Sequence, residues 1–427
     1  MRVLLYTLGC KVNQSEGTAI RALLEQRGHV LAEGGGPVDA IVVNTCTVTG
    51  TSDQKSRQAI RRLRRAHPGA LLAVCGCMAQ VNPEAALSLG ASLVGGTSDR
   101  TGFVDALERL VRDAPPEHGA LLLPGRPGGR FEPLPAARGT RSRAVLKIQD
   151  GCENHCTYCI IPQARGPSRS LPPDAVREAA SRLDSAEIVL TGIEIAAYGL
   201  DLGGAALIDA VEAAAAGAPW ARIRLGSLEP RAVTGAFLQS LAAQPVCPHF
   251  HLSLQSGCDR TLRRMGRRYD TARFWESCAL VRRFFPGCAV TTDLIVGFPG
   301  ETEEDFAQTL AFVERCDFAG MHIFPYSRRG NTPAARLPEQ LPRAVKQRRS
   351  GEAAALSEQM AARYRDRQLG RVLPVLFETE RDGAWRGTSD NYQEVEAQGS
   401  GLRGSVFSVR ITRVAPLGTL EGVVEPL

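Results

Sequence analysis

Cysteine spacing carries the first chemical signal in this chain. Cys152, Cys156 and Cys159 stand together in KIQDGCENHCTYCIIPQARG, with the spacing C-x3-C-x2-C. Thiolates are ligands for zinc and for iron–sulfur clusters. On one short loop, three of them can each take one iron corner of a [4Fe–4S] cube. No fourth cysteine follows locally, so one iron would stay open to an external ligand. Zinc is the alternative. A structural zinc takes four ligands, and His155 inside the loop is the candidate fourth. Twelve cysteines in 427 residues are too sparse for a disulfide scaffold, and in a reducing compartment a tight cysteine group points to a metal site.

A second set is distant in sequence. Residues 2–8 (RVLLYTL) predict a strand with Cys10 just beyond its end. Residues 39–45 (DAIVVNT) predict another, ending at Cys46, and residues 70–74 (ALLAV) a third, followed by Cys75, Gly76 and Cys77. Helical patterns over 14–27 and 52–66 separate them. This βαβαβ order implies a parallel sheet, whose ligands collect beyond the carboxyl ends of its strands. Cys10, Cys46 and Cys77 all fall there. The alternative is three buried apolar cysteines.

The bulk composition fits an ordinary globular protein: 44% hydrophobic, 22% charged, formal net charge +6. No apolar run of about 18 residues predicts a membrane span, and the start turns polar too early for a secretory signal. The expected location is the cytoplasm, with no membrane partner.

C-x3-C-x2-C after a hydrophobic strand resembles the signature of the radical S-adenosylmethionine (SAM) superfamily. The resemblance implies that the open iron binds the amino and carboxylate groups of SAM. An electron from the cube then breaks the S–C5′ bond, and the 5′-deoxyadenosyl radical abstracts hydrogen. Tyr158, beside the last cysteine, would shield the cluster. LGCKVNQSE, NTCTVTGTSDQKSRQAIRRLRR and CGCMAQ resemble the N-terminal domain of the methylthiotransferases, a radical SAM family. That implies a second [4Fe–4S] cluster on Cys10, Cys46 and Cys77, with Cys75 a spectator. Asn13, Asn44 and Gln80 are then candidate amide donors to cluster sulfides, or turn caps.

Gly9-Cys10-Lys11-Val12-Asn13-Gln14 resembles the branch that methylthiolates N6-threonylcarbamoyladenosine (t6A) at position 37 of tRNA. The expected product is ms2t6A37, with sulfur inserted at C2 and a methyl group added from a second SAM. The alternatives are the branches acting on isopentenyladenosine-37 or on a ribosomal-protein aspartate, and, in another class, a zinc-bearing non-catalytic RNA-binding protein. The implied partners are the tRNA anticodon loop, a flavodoxin- or ferredoxin-type electron donor and a sulfur source.

The expected fold class is α/β. Residues 1–115 form the N-terminal parallel-sheet domain and 116–142, rich in Pro, Gly and Ala, a linker. Residues 143–368 form a radical SAM domain, a partial (β/α)6 barrel. Residues 369–427 read as short strands and resemble a TRAM domain, a small RNA-binding β-barrel. Barrel strands are expected at 143–149, 186–191, 221–226, 249–254 and 289–296. At their ends stand the candidate SAM or substrate contacts Thr191, Gly192, Glu194, Glu229, Ser253, Gln255 and Asp293. Gly192 would let backbone approach the SAM amino group. Alternation sends Ser253 and Gln255 to one face. Thr302 and Asp305 resemble a capping box. Arg165 is open between the SAM carboxylate and a tRNA phosphate.

Charge is unevenly spread. Residues 371–427 hold six Arg against eight Asp and Glu, whereas 328–371 hold eleven Lys and Arg against four. An RNA-binding barrel usually presents a basic surface, so any grip there would need local clusters such as Arg403, Arg410 and Arg413. The helix at 52–66 adds Lys55, Arg57, Arg61, Arg62, Arg64 and Arg65, a face suited to phosphate or simply to solvent.

Overall fold

The structure is a computed structural model that describes residues 1–33, 35–113, 121–123, 125, 128–135 and 142–426. Of the expected linker 116–142, residues 116–120, 124, 126–127 and 136–141 lie outside the described residues.

The N-terminal sheet has six parallel strands. In spatial order they are Val30–Leu31, Arg2–Thr7, Ala40–Thr45, Leu71–Gly76, Leu93–Gly95 and Leu121–Leu123. Ala40–Thr45 lies inside this sheet and every residue of it is buried. Its unbroken apolar start fits a parallel strand covered on both faces. The helices Lys11–Gln26 and Gly50–Ala66 supply crossovers. Thr49 caps the second, its hydroxyl accepting from Ser52 N at 3.1 Å. The sheet is three strands wider than the sequence pattern shows, and its last strand uses residues from the expected linker.

The central unit is a partial barrel of six parallel strands in two sheets. Arg143–Lys147, Glu187–Thr191 and Arg222–Leu225 form one, and His249–Gln255, Ala289–Val296 and Gly320–Pro325 the other. Parallel bridges Ile223↔Val246 and Leu228↔Leu252 join them. Leu146, Ile188, Leu190, Ile223, Leu252 and Leu294 point outward into a core shared with the helices. The alternate positions therefore face the barrel interior. Thr302 and Asp305 do form a capping box, with bonds of 3.2 and 2.9 Å.

Five strands close a small C-terminal barrel in the order Val372–Arg381, Ala384–Ser389, Glu394–Gln398, Leu420–Val424 and Val406–Val414. It sits at the amino-terminal end of the central strands. Arg222 donates to Pro374 O at 2.9 Å and Thr388 O at 2.8 Å. Arg224 donates to Asp390 O at 2.9 Å and Ser389 O at 3.0 Å. No helix among the described residues is long and apolar enough to cross a membrane.

Candidate active site

The three N-terminal cysteines meet at the carboxyl edge of their sheet. Cys10 follows the first strand, Cys46 follows Ala40–Thr45, and Cys77 opens the helix Cys77–Val81. Asn13 stands among them: its Oδ1 lies 3.6 Å from Cys10 Sγ and 4.0 Å from Cys77 Sγ. Gly9 has φ +111°, and a Cβ there would meet Cys46 Cβ at 2.7 Å and Cys46 Sγ at 3.0 Å. Glycine is thus required for the loop of Cys10 to lie against Cys46. Cys75 sits in the preceding strand, fully buried, with its thiol pushed up to about 11 by burial. Burial pushes the Cys77 thiol up to about 12.

The expected amide donors are engaged elsewhere. Asn13 Nδ2 donates to Thr45 O at 2.8 Å, Asn44 Nδ2 to Asn13 O at 3.0 Å, and Gln80 Nε2 to Gly125 O at 3.1 Å. They hold the backbone around the cysteines and do not reach for sulfide.

Beside them lies a buried ionic network that the sequence does not announce. Glu16, fully buried on the helix that follows Cys10, accepts from both terminal guanidinium nitrogens of Arg165, from Arg100 at 2.9 Å and from Lys147 at 2.8 Å. Asp150 accepts from Lys147 at 2.7 Å and Arg169 at 2.8 Å. Arg165 also donates to Asn13 Oδ1 at 3.0 Å. Burial opposes the Glu16 charge, yet Arg165, Lys147 and Arg100 hold the carboxyl well below its usual range. Arg165 is therefore closed to both SAM carboxylate and tRNA phosphate; its partners are Glu16 and Asp150. Arg165 is the one member singled out from the sequence; Lys147 and Asp150 shortly precede the cysteine loop. Nothing in the sequence around Glu16 or Arg100 marks either as buried.

The network joins the two cysteine sites. Arg165 lies six residues beyond Cys159, and Glu16 six residues beyond Cys10. A second tie sits at the other edge of the partial barrel, where Arg329 contacts Thr47 and Gly50 N donates to Ser327 Oγ at 3.1 Å. The N-terminal sheet thus holds the first and last strands of the barrel together.

In the loop itself Cys156 is buried and Cys152 and Cys159 are half-buried. Burial pushes the Cys152 thiol up to about 11 and that of Cys159 up to about 12. Arg267 donates to Cys156 Sγ at 3.1 Å and to Tyr269 Oη at 2.9 Å. Tyr158 packs beside a cluster of Met265, Phe298 and Tyr326. His155 is exposed.

The donor sets fit iron–sulfur clusters. All twelve cysteines are free thiols. Among the described residues no three Cys, His, Asp or Glu side chains gather tightly enough to share one metal ion. In the adjoining network four buried or nearly buried cations face two carboxylates, and the charge of Arg165 favours the thiolate forms of Cys46 and Cys77 against burial. Arg165 Nε is buried and has no acceptor among the described residues, as a donor awaiting cluster sulfur would be.

The strand-end candidates divide into two groups. Thr191, Gly192, Glu194 and Glu229 lie near the loop. Asn154 Nδ2 donates to Glu194 Oε2 at 3.3 Å, and burial, then the charge of Glu229, pushes the Glu194 carboxyl up to about 7. Glu229 pairs with Arg231 at 2.6 Å and stands 3.9 Å from Arg267. The space above Gly192 belongs to Gln149, whose Oε1 would lie 2.7 Å from a Cβ there. That contact is why the residue is glycine. Ser253 and Gln255 are both half-buried, but a bulge between Leu252 and Gln255 shifts the register, and Gln255 has φ +70°. Asp293 lies lower in the barrel, 3.3 Å from His251 Nε2 and 3.4 Å from His322 Nδ1. Burial opposes its charge, but those two imidazoles hold it below the usual carboxylate range.

On the outer surface, Lys55, Arg61, Arg62, Arg64 and Arg65 are exposed on the helix Gly50–Ala66. Two of the C-terminal arginines are neutralised, Arg410 by Glu425 at 2.7 Å and Arg413 by Glu421 at 2.6 Å. Arg403 has no ion pair among the described residues.

Residues 146–313 match the Radical SAM superfamily, and residues 2–95 match an uncharacterized protein family, UPF0004. The chain is 38% identical to the threonylcarbamoyladenosine tRNA methylthiotransferase MtaB of Bacillus subtilis, over 96% of this chain and 94% of that one. It is 34% identical to MtaB of Thermotoga maritima, over 97% and 95%. It is also 34% identical to a tRNA-2-methylthio-N(6)-dimethylallyladenosine synthase of Mycobacteroides abscessus, over 98% and 83%. Among solved structures, the radical SAM methyltransferase TsrM of Kitasatospora setae shares the fold, with a TM-score of 0.56 at 17% identity over 78% of this chain and 76% of that one.

Proposed function

Because the chain belongs to the radical SAM methylthiotransferase family, we propose that it converts t6A at position 37 of tRNA to ms2t6A, inserting sulfur at C2 and methylating it. The observation that carries this reading is the meeting of Cys10, Cys46 and Cys77 around Asn13, tied through Glu16 and Arg165 to the loop of Cys152, Cys156 and Cys159. Two sites must reach one carbon, and the buried network fixes the elements that carry them.

Cys152, Cys156 and Cys159 would hold one [4Fe–4S] cluster and Cys10, Cys46 and Cys77 the other. When bound, these groups supply the electron for reductive SAM cleavage and the site at which sulfur is handed over. The rest falls to the protein. Arg267 donates to Cys156 Sγ and so helps to hold that side chain in place. Glu194, Glu229, Thr191 and Gly192 form the wall beside the loop where SAM would bind. Ser253, Gln255 and Asp293, on the next two strands of the barrel, are the further candidate SAM contacts. Position 37 lies in a single-stranded loop, from which a base can be turned into a pocket. The basic helix Gly50–Ala66 would take phosphates of the stem. We assign 1–123, whose sheet takes in Leu121–Leu123, 143–368 and 369–427 as the three functional units, with a flavodoxin- or ferredoxin-type donor and a separate sulfur source as partners in the cytoplasm.

Mass spectrometry of nucleosides from total tRNA, in cells with and without the gene, tests the reading. Loss of ms2t6A with accumulation of t6A is expected. An unchanged profile, in cells that contain ms2t6A and no redundant enzyme, refutes it. Loss of a methylthiolated isopentenyladenosine moves the substrate within the family.

A further inference from the structure

A cavity of about 550 Å³ opens where the three units meet. Lys11 and Gln14 line it from the helix that follows Cys10, Val145 and Val189 from the barrel, and Tyr392 and Arg403 from the C-terminal barrel. Its charge is one-sided. Two further arginines on its wall are occupied: Arg143 pairs with Glu378 at 3.0 Å and Arg224 with Glu187 at 2.7 Å. Lys11 and Arg403 are exposed, and neither has a carboxylate partner among the described residues. Lys11 Nζ stands 6.0 Å from the centre of the Tyr392 ring. Tyr392 is itself unusual. It is a bulky residue with φ +67°, 38% exposed, held from behind by His249 stacked at 4.3 Å. A non-glycine side chain kept in that backbone region, with its ring at a cavity wall, points to a use for the ring.

The chemistry of the modified base supplies that use. The threonylcarbamoyl group on N6 ends in the free carboxylate of threonine. The dimethylallyl group of the related substrate is an uncharged hydrocarbon. C2 and C6 of adenine flank the same ring nitrogen, N1. A protein group that reads the N6 substituent must therefore stand next to the group that reaches C2. Lys11 is the residue immediately after Cys10. We propose that this cavity is the subsite that reads the threonyl carboxylate, with Lys11 as its principal cation, Arg403 as the second and Tyr392 as the wall against which the substituent packs. This rests on the t6A reading and deepens it: the cation at Lys11 is what favours t6A over an apolar N6 group.

The test uses the full chain, anaerobically reconstituted, and three anticodon stem-loop RNAs. One carries t6A37, one its methyl ester at the threonyl carboxylate, and one unmodified A37. Binding is read by fluorescence anisotropy and turnover by nucleoside mass spectrometry. A charge-assisted contact predicts that the wild type binds t6A37 RNA at least about tenfold more tightly than the ester. Lys11→Gln should abolish that preference while leaving the ester and A37 affinities within about twofold, and Lys11→Arg should restore it. Arg403→Gln, distant in sequence from every cluster cysteine, should reduce the preference, and it decides the matter if Lys11→Gln loses iron. A wild type that methylthiolates t6A37 RNA but shows no preference over the ester overturns the subsite. So does a Lys11→Gln loss of equal size on all three RNAs, which would make Lys11 a phosphate contact. A wild type that leaves t6A37 RNA unmodified but methylthiolates a fourth stem-loop, carrying dimethylallyladenosine at position 37, overturns the substrate reading, and the subsite with it.

Discussion

Replacing Glu16 by Gln removes the carboxylate common to Arg165, Arg100 and Lys147. The side chain is fully buried, so water cannot take its place. Glutamine keeps the shape and one acceptor, so no cavity forms; the loss is one of charge. Breaking a buried ion pair at one partner costs about 3–5 kcal/mol, a large share of the roughly 5–15 kcal/mol that holds a typical domain folded. At roughly 2–4 °C per kcal/mol for a unit of this size, the melting transition should fall by about 6–20 °C. Calorimetry of the cluster-free chain at neutral pH measures it. Adding Arg165→Met to Glu16→Gln should recover part of the loss, because the uncompensated cation is then gone. The same variant should make more 5′-deoxyadenosine per methylthiolated product, since the tie between the two cysteine sites is weakened. The sign with pH follows as well. The carboxyl is held below its ordinary 4.5, so its contribution is full above that value and fades as pH falls toward the folded-state value. A fall of less than about 2 °C, with the double variant no better than the single, would refute the reasoning.

Two further outcomes are expected. Cys77→Ala should cut the iron of the anaerobically reconstituted chain by about half, whereas Cys75→Ala should leave it unchanged; equal loss from both would make Cys75 a ligand. His322 is raised above its ordinary 6.5 chiefly by its hydrogen bond to Asp293, so the pair stabilises fully below that pH and fades as pH rises through the raised value. In Asp293→Asn the His322 midpoint, read by NMR of labelled histidine, should drop to 6.5 or lower.

Much of the scaffold was legible because parallel strands advertise themselves. AIVVNT and AVTTDLIV are runs of β-branched residues, and the cysteines stand where such strands end. The strands that escaped notice lack that signal. GMHIFP begins with glycine and ends with proline, AWRGTS mixes one large apolar residue with polar ones, and LLL lies inside a stretch rich in proline and glycine. The candidate site was legible as a set of ligands and illegible as an assembly. Glu16 and Arg165 are 149 positions apart, and nothing local in either segment says that both are buried. Arg267 sits among other arginines, Arg263, Arg264 and Arg268, which hides the one that meets Cys156 Sγ.

The C-terminal barrel shows why charge counts alone mislead. Its net acidity argues against a broad phosphate grip, and the pairing of Arg410 and Arg413 with Glu425 and Glu421 strengthens that point. Yet its position is tightly specified. Arg222 and Arg224 share Glu187 and spend their remaining donors on four backbone carbonyls of the small barrel. Such contacts read backbone, so they fix where the turn Ser389–Tyr392 lies whatever the surface charge. That turn delivers Tyr392 to the cavity wall, where His249 stacks behind it. In the proposed subsite the domain would contribute one placed aromatic ring and Arg403, which has no ion pair among the described residues. It follows that loosening the Arg224 contact should weaken recognition of the modified base more than it weakens binding of unmodified RNA.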